Sequence, residues 1–271
     1  MPPLWFATAR IFLGALFLFG LLIIQGRFIF PKKFDIKIII IISIFQIALP
    51  TALIHSGLQN LGAGRSAILV FTMPLWVAPL AYFFLKERFN LVKFIGLILG
   101  LSGIGILFNP LAFNFSNQSL VFGNSLMLLA SFSFASAIII LRHSSIFSPI
   151  IQLVPWQLLL GSLFLALLAL NFEGIPQVKW TPTLFAILAY NGPIASGFCF
   201  WAYIYVSSGL PAMNTSIGTL GIPVIGIFSS RIILEETLNY YENFGLVMVL
   251  IGVLIVSFNG LKSLDISKSL K

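Results

Sequence analysis

Nine apolar stretches succeed one another along this chain, each about long enough to cross a lipid bilayer. They fall at residues 3–24, 36–58, 64–85, 92–108, 120–141, 149–170, 183–206, 212–234 and 241–258. A hydrocarbon core of ~30 Å takes about 20 residues of helix at about 1.5 Å each. The chain is 59% hydrophobic and 8% charged, where a soluble domain carries about 25% charge. The expectation is an all-α membrane protein with nine transmembrane helices, embedded in the lipid bilayer and lacking any soluble domain. The single Cys199 excludes an intrachain disulfide and a multi-cysteine metal site, and reads as a small apolar residue inside a helix. Met1 to Trp5 carries no basic residue, and the first apolar run is long enough to span, so no cleavable signal peptide is evident.

The net charge of +8 bears on topology rather than on nucleic acid, because no basic run is interleaved with polar surface. Arg27, Lys32, Lys33 and Lys37 follow the first helix, and Lys86, Arg88 and Lys93 follow the third. Arg142 follows the fifth, and Lys262, Lys268 and Lys271 form the tail. In a nine-helix serpentine these lie on one face, while Lys179, Glu173, Glu235, Glu236 and Glu242 lie on the other. Excess Lys and Arg mark cytoplasmic loops, which puts the C-terminus in the cytoplasm of a bacterial-type inner membrane and the N-terminus outside.

The stretch Gly57 to Leu107 recurs in diverged form 149 residues downstream. Pro74 faces Pro223, Leu85 faces Leu234, Glu87 faces Glu236, and Asn90 faces Asn239. Gly96, Leu97 and Gly103 face Gly245, Leu246 and Gly252 without a gap. Chance could align leucines, but hardly the proline, glutamate, asparagine and glycines together. This is an internal duplication. The turn Lys86-Glu87-Arg88 is basic and Glu235-Glu236-Thr237 is not, so the two copies lie inverted in the membrane, a recurrent construction of secondary transporters. Residues 1–110 form the first repeat with four helices, 118–260 the second with five, and 261–271 a cytoplasmic tail. The partner of 120–141 is absent from the first repeat. A full plan would have five plus five helices, and a missing first helix is the expectation.

Taken together, these residues resemble the EamA-type branch of the drug/metabolite transporter superfamily. The likeness rests on Ala9-Arg10 with its leucine-rich helix, Gly62-Ala63-Gly64-Arg65-Ser66-Ala67, Pro74, Leu85-Lys86-Glu87-Arg88, Gly96 and Gly103. In the second half it takes in Trp156-Gln157, Pro211-Ala212, Pro223 and Leu234-Glu235-Glu236. The resemblance implies a ten-helix fold of which this chain has all but the first helix. It also implies a carrier, proton-coupled, gradient-coupled or facilitative, often exporting amino acids and related metabolites.

Candidate substrate-binding residues are His55, Gln59, Trp76, Asn191, Trp201, Tyr205 and Asn214. An ionisable group inside a span is a functional candidate by default. His55 shares a helical face with Gln59 four residues on. The competing reading is a histidine at headgroup level. Trp76 lies between Pro74 and Pro79, too deep for an interface belt. Trp201 and Tyr205 are one turn apart. Asn191 precedes Gly192-Pro193, which frees backbone carbonyls that need partners or water; a simple kink is the plainer reading. Asn214 begins its helix, where it caps or offers a polar contact. Arg10 lies seven residues inside its helix, and its side chain either snorkels to headgroups, forms an interhelical pair or holds a substrate carboxylate.

No catalytic, metal or cofactor motif is visible, so no cofactor is expected and the chain does not read as an enzyme. The expected function is a secondary transporter of a small-molecule substrate, an exporter of amino acids or related amphipathic compounds. The site would lie between the repeats, formed by helices 36–58, 64–85, 183–206 and 212–234, one half rocking against the other. A membrane-embedded lipid-processing enzyme would need a nucleophile, metal cluster or carboxylate pair at membrane depth. A non-transporting assembly subunit would need a lipid-exposed polar face or long tails. Neither signature is present, and the sequence leaves the oligomeric state open.

Overall fold

The computed structural model describes residues 1–86, 91–108, 118–144, 148–202, 225–226, 229, 232–233, 235 and 240–269. Among these residues every regular element is helical: α1 Pro3–Ile24, α2 Lys33–Gly57, α3 Ala63–Leu85, α4 Leu91–Phe108, α5 Gln118–His143, α6 Ile150–Glu173, α7 Pro182–Ala202 and α8 Tyr240–Ser269. The six helices α1–α3 and α5–α7 are long and apolar enough to cross a membrane, and α4 and α8 hold the shorter apolar runs Phe94–Ile106 and Asn243–Ile255. The expected span at 212–234 falls largely outside the described residues. Helix α8 continues to Ser269, past the expected boundary at 258. No proline lies between Asn259 and Ser269, and the lone Gly260 weakens a helix without ending it.

Local chemistry sets the interruptions. Helix α3 is two pieces, Ala63–Val70 and Met73–Leu85, separated at Phe71 and Thr72. Pro74 sits in the first turn of the second piece, where its missing N–H costs nothing. At the break Leu69 O accepts from both Thr72 N at 3.2 Å and Thr72 Oγ1 at 2.7 Å. Helices α2 and α7 each contain a π-helical segment, Ser43–Ala48 and Asn191–Phe198. Pro50 and Pro193, at or beside these segments, cannot donate to the preceding turn. Thr181 caps α7 by accepting from Leu184 N at 3.2 Å, with Pro182 at the first helical position.

The chain forms two compact units, Met1–His55 with Ile140–Gly209, and Ser56–Ile139 with Leu210–Lys271. These differ from the sequence repeats: each unit draws helices from both halves.

In the first unit, α1 packs against α6 and against the π segment of α7. The core is Ile11, Ala15, Leu18, Ile47, Ala48, Val154, Leu158 and Leu165. Two glycines permit the approach. A Cβ on Gly14 would lie 2.9 Å from Gly197 N and 3.1 Å from Gly192 O. A Cβ on Gly161 would lie 2.5 Å from Ile47 Cγ2 and 3.4 Å from Ser43 O. The fully buried Ser43 Oγ shares its hydrogen between Ile39 O at 2.7 Å and Gln157 O at 3.0 Å, linking α2 to α6. Glu173, at the end of α6, accepts from Leu4 N at 2.9 Å and Trp5 N at 3.1 Å. The carboxylate thereby satisfies two orphan donors at the α1 N-terminus.

In the second unit, α4 pairs with α8. A Cβ on Gly103 would lie 2.7 Å from both Gly245 O and Val249 N, and one on Gly252 would lie 2.5 Å from Gly100 N and 2.7 Å from Gly96 O. Such small-residue contacts let backbones meet where lipid supplies no hydrophobic drive. The contacts are reciprocal: the offset of 149 residues carries Gly96, Gly100 and Gly103 onto Gly245, Val249 and Gly252. The same offset relates Lys86 to Glu235, the two non-glycine residues with positive φ, 55° and 53°, among those described. It also carries Ser43–Ala48 into the π segment of α7.

Candidate substrate site

Both units carry buried polar groups: in the second, Arg65 Nε donates to Asn124 Oδ1 at 3.1 Å, and in the first they gather near Arg10. Phe6 and Arg10 stand one turn apart on α1, and His55 of α2 lies beside both. The Phe6 and His55 rings meet edge-on, with centroids 6.2 Å apart at 62°. Arg10 Nη1 donates to Ser196 Oγ of α7 at 3.2 Å, and Ser196 is buried. Arg10 Nε is buried and has no partner among the described residues. The guanidinium is therefore turned inward to α7, not out to the headgroups.

A separate apolar cavity of about 300 Å³ lies farther along α1, lined by Phe17, Leu21, Phe198, Ile151 and Trp201, with Gln25 as a polar member. Trp201 tilts against Phe198, centroids 6.2 Å apart. Along α1, Gly14 in contact with Gly197 stands between the level of Arg10 and that of the cavity.

The other candidates fall as follows. Asn191 Nδ2 donates to Ile187 O of its own helix at 3.0 Å. Helix α2 ends at Gly57, and Asn60 N closes a turn onto Gly57 O at 3.0 Å. Gln59 is thus exposed in a turn, and the helical face expected for it with His55 does not extend that far. In the second unit Trp76 packs edge-on against Phe132, centroids 5.7 Å apart at 89°, and its Nε1 is buried without a partner among the described residues. Tyr205 and Asn214 lie outside the described residues. Trp156 has a structural role: its Nε1 donates to Ile29 O at 3.1 Å, and its ring meets Phe19 at 4.9 Å. Among the described residues no group of His, Cys, Asp and Glu could hold a metal.

Sequence reasoning could not orient Arg10, because its partner Ser196 stands 186 residues away. Glu173 was legible only as a charge on one face; its role depends on α6 ending beside the start of α1.

The model of the EamA-like transporter family matches residues 1–109 and 121–258. YoaV of Bacillus subtilis, described as an uncharacterized transporter, is 29% identical over 95% of this chain and 88% of its own length. A chloroplastic WAT1-related protein of Arabidopsis thaliana is 27% identical over 94% of this chain and 63% of its own. A solved crystal structure covers 95% of this chain and 87% of its own with a TM-score of 0.63. At 14% identity that likeness is one of fold alone.

Proposed function

Because this chain belongs to the EamA-like transporter family, and so is a multi-pass membrane transporter of small molecules, we propose that it exports amino acids or related amphipathic compounds across the cell membrane. The observation that carries the transporter part of the reading is the family match over two successive stretches of the chain; export of amino acids rests on the resemblance read from the sequence. The family and the name of YoaV support a transporter rather than an enzyme.

The proposed mechanism is alternating access in an inverted repeat. Its support is the single offset of 149 residues, which relates the reciprocal glycine contacts, the two left-handed helix ends and the two π segments. Rocking one whole repeat against the other would part Gly14 from Gly197 and Gly103 from Gly245. The moving parts we propose are instead packed pairs such as α1 with α7 and α4 with α8. Each holds one helix from either repeat.

Within the first unit His55 and Trp201 are the proposed substrate contacts; Asn191 keeps a place through its amide oxygen and the second N–H of its amide. Within the second unit it is Trp76, whose indole N–H is uncommitted among the described residues. Gln59, Tyr205 and Asn214 are proposed from sequence alone. The C-terminus is proposed to be cytoplasmic.

The test is flux from proteoliposomes loaded with labelled amino acids and metabolites. A folded protein that moves none of them down or against a gradient sinks the carrier reading. Movement of sugars or nucleosides alone sinks the amino-acid part. A C-terminal alkaline phosphatase fusion that is active would reverse the orientation, since the enzyme matures only outside the cytoplasm.

A further inference from the structure

The transporter reading leaves the half-buried cation Arg10 unexplained. Arg10 stands seven residues inside α1, about 10 Å along the axis, where a charge is costly unless paired. Snorkelling would relieve it, but Nη1 is tied to Ser196 Oγ at 3.2 Å and Nε is buried. Among the described residues no carboxylate pairs with it. The chain has only seven carboxylates, and Glu173 is engaged at the α1 N-terminus. His55, the other ionisable group beside Arg10, is a base and cannot neutralise it.

The geometry says which edge is unpaired. A guanidinium has five N–H donors in a planar fork. With Nη1 on Ser196, the edge formed by Nε and Nη2 makes no hydrogen bond among the described residues. Those two N–H groups are parallel and match the two oxygens of a carboxylate side-on.

We infer that Arg10 is a substrate-binding residue that takes the carboxylate of the cargo on its Nε–Nη2 edge. Ser196 is the positioning residue that turns this edge free. The inference rests on the transporter reading and narrows it to carboxylate-bearing compounds, with the cargo supplying the missing counter-ion. Export of a zwitterionic amino acid fits, because its single carboxylate is matched and its net charge is zero. A lipid phosphate presents similar oxygens, and the experiment separates the two.

Equilibrium binding of labelled leucine and phenylalanine is measured on the full chain in lipid nanodiscs, with their amides as competitors. The amides keep the side chain and the ammonium and lose the carboxylate. The parent should prefer each acid over its amide by roughly tenfold or more, the worth of a charge-assisted hydrogen bond. R10Q should lose that preference, and R10K, with charge but no fork, should keep part of it. S196A should weaken acid binding while leaving amide binding unchanged, which a general loss of structure would not do. Equal binding of acid and amide by the parent overturns the inference without any variant; that is the result if a lipid phosphate holds Arg10. So does failure of every acid to bind, or an R10Q that keeps the preference. Flux is read separately: leucine and leucinamide moving alike leaves the carrier and removes Arg10. Acids that bind through Arg10 with no flux leave Arg10 and remove the carrier.

Discussion

Replacing Gly252 with alanine should separate α4 from α8. A Cβ there would lie 2.5 Å from Gly100 N, 2.6 Å from Gly100 Cα and 2.7 Å from Gly96 O, where ordinary contact begins near 3.4 Å. All three atoms are backbone, so no side chain can swing aside. The helices must part by about 0.8 Å, and a radial gap of that size forfeits about a quarter to a half of each dispersion contact along the seam. Overpacking of this kind costs about 1–3 kcal/mol. Alanine also gains up to about 1 kcal/mol of helix propensity over glycine, which masks part of the loss. The matched control is Gly105→Ala, on α4, where an added Cβ meets nothing within 4 Å. Propensity cancels between the two variants, leaving a gap of about 1–3 kcal/mol set by packing alone. Thermal unfolding of the purified proteins in one detergent, followed by tryptophan fluorescence, measures it. The Gly252 variant should melt several degrees below the Gly105 variant. Equal midpoints would refute close packing of α4 on α8 through Gly252.

Other outcomes follow from single contacts. Glu173→Ala removes the acceptor for Leu4 N and Trp5 N; it should cost about 1–2 kcal/mol as other capping losses do and raise amide exchange in the first turn of α1, while Glu173→Gln should cost less. Ser43→Ala deletes the bond to Gln157 O and should lower stability by about 0.6 kcal/mol, the mean for interhelical hydrogen bonds in membranes; no change in melting would mean that the hydroxyl is satisfied by Ile39 O alone. Trp76→Phe removes a buried donor without a partner among the described residues, so stability should hold or rise slightly. A fall in flux with unchanged melting would assign the indole N–H to the cargo; unchanged flux would remove Trp76 from the site.

Much of the architecture was legible because the membrane imposes one period and one length. The apolar runs located α1 to α7 to within a few residues at most ends. The offset of 149 residues was legible in prolines, glycines and one glutamate, since these residues are kept where backbone geometry demands them. The π segments were not legible. They are one-residue shifts in hydrogen-bond register, which leave the apolar pattern intact. Nor could sequence show that the compact units cross the repeat boundary, because that depends on which glycine faces which: Gly14 meets Gly197, not a residue of its own half.

The site was less legible because its residues are defined by partners distant in sequence. Gln59 looked helical by its spacing from His55, but α2 ends at Gly57 and the next helix begins only at Ala63. Arg10 is the sharper case. Its depth in α1 was readable, and depth alone favours snorkelling as the cheapest solution. The decision is made by Ser196, on a π-helical segment whose register the sequence does not display. A one-residue slip there would carry Ser196 about 100° around its helix, at 3.6 residues per turn. The hydroxyl would leave Nη1, and the guanidinium would be released toward the headgroups. The distortion of α7 thus sets the direction of a charge on α1, and restoring a regular α-helix across Asn191–Phe198 by deleting one residue should abolish any preference for acids over amides while leaving Arg10 in place. Retention of that preference in a folded deletion variant would show that Ser196 does not position the arginine.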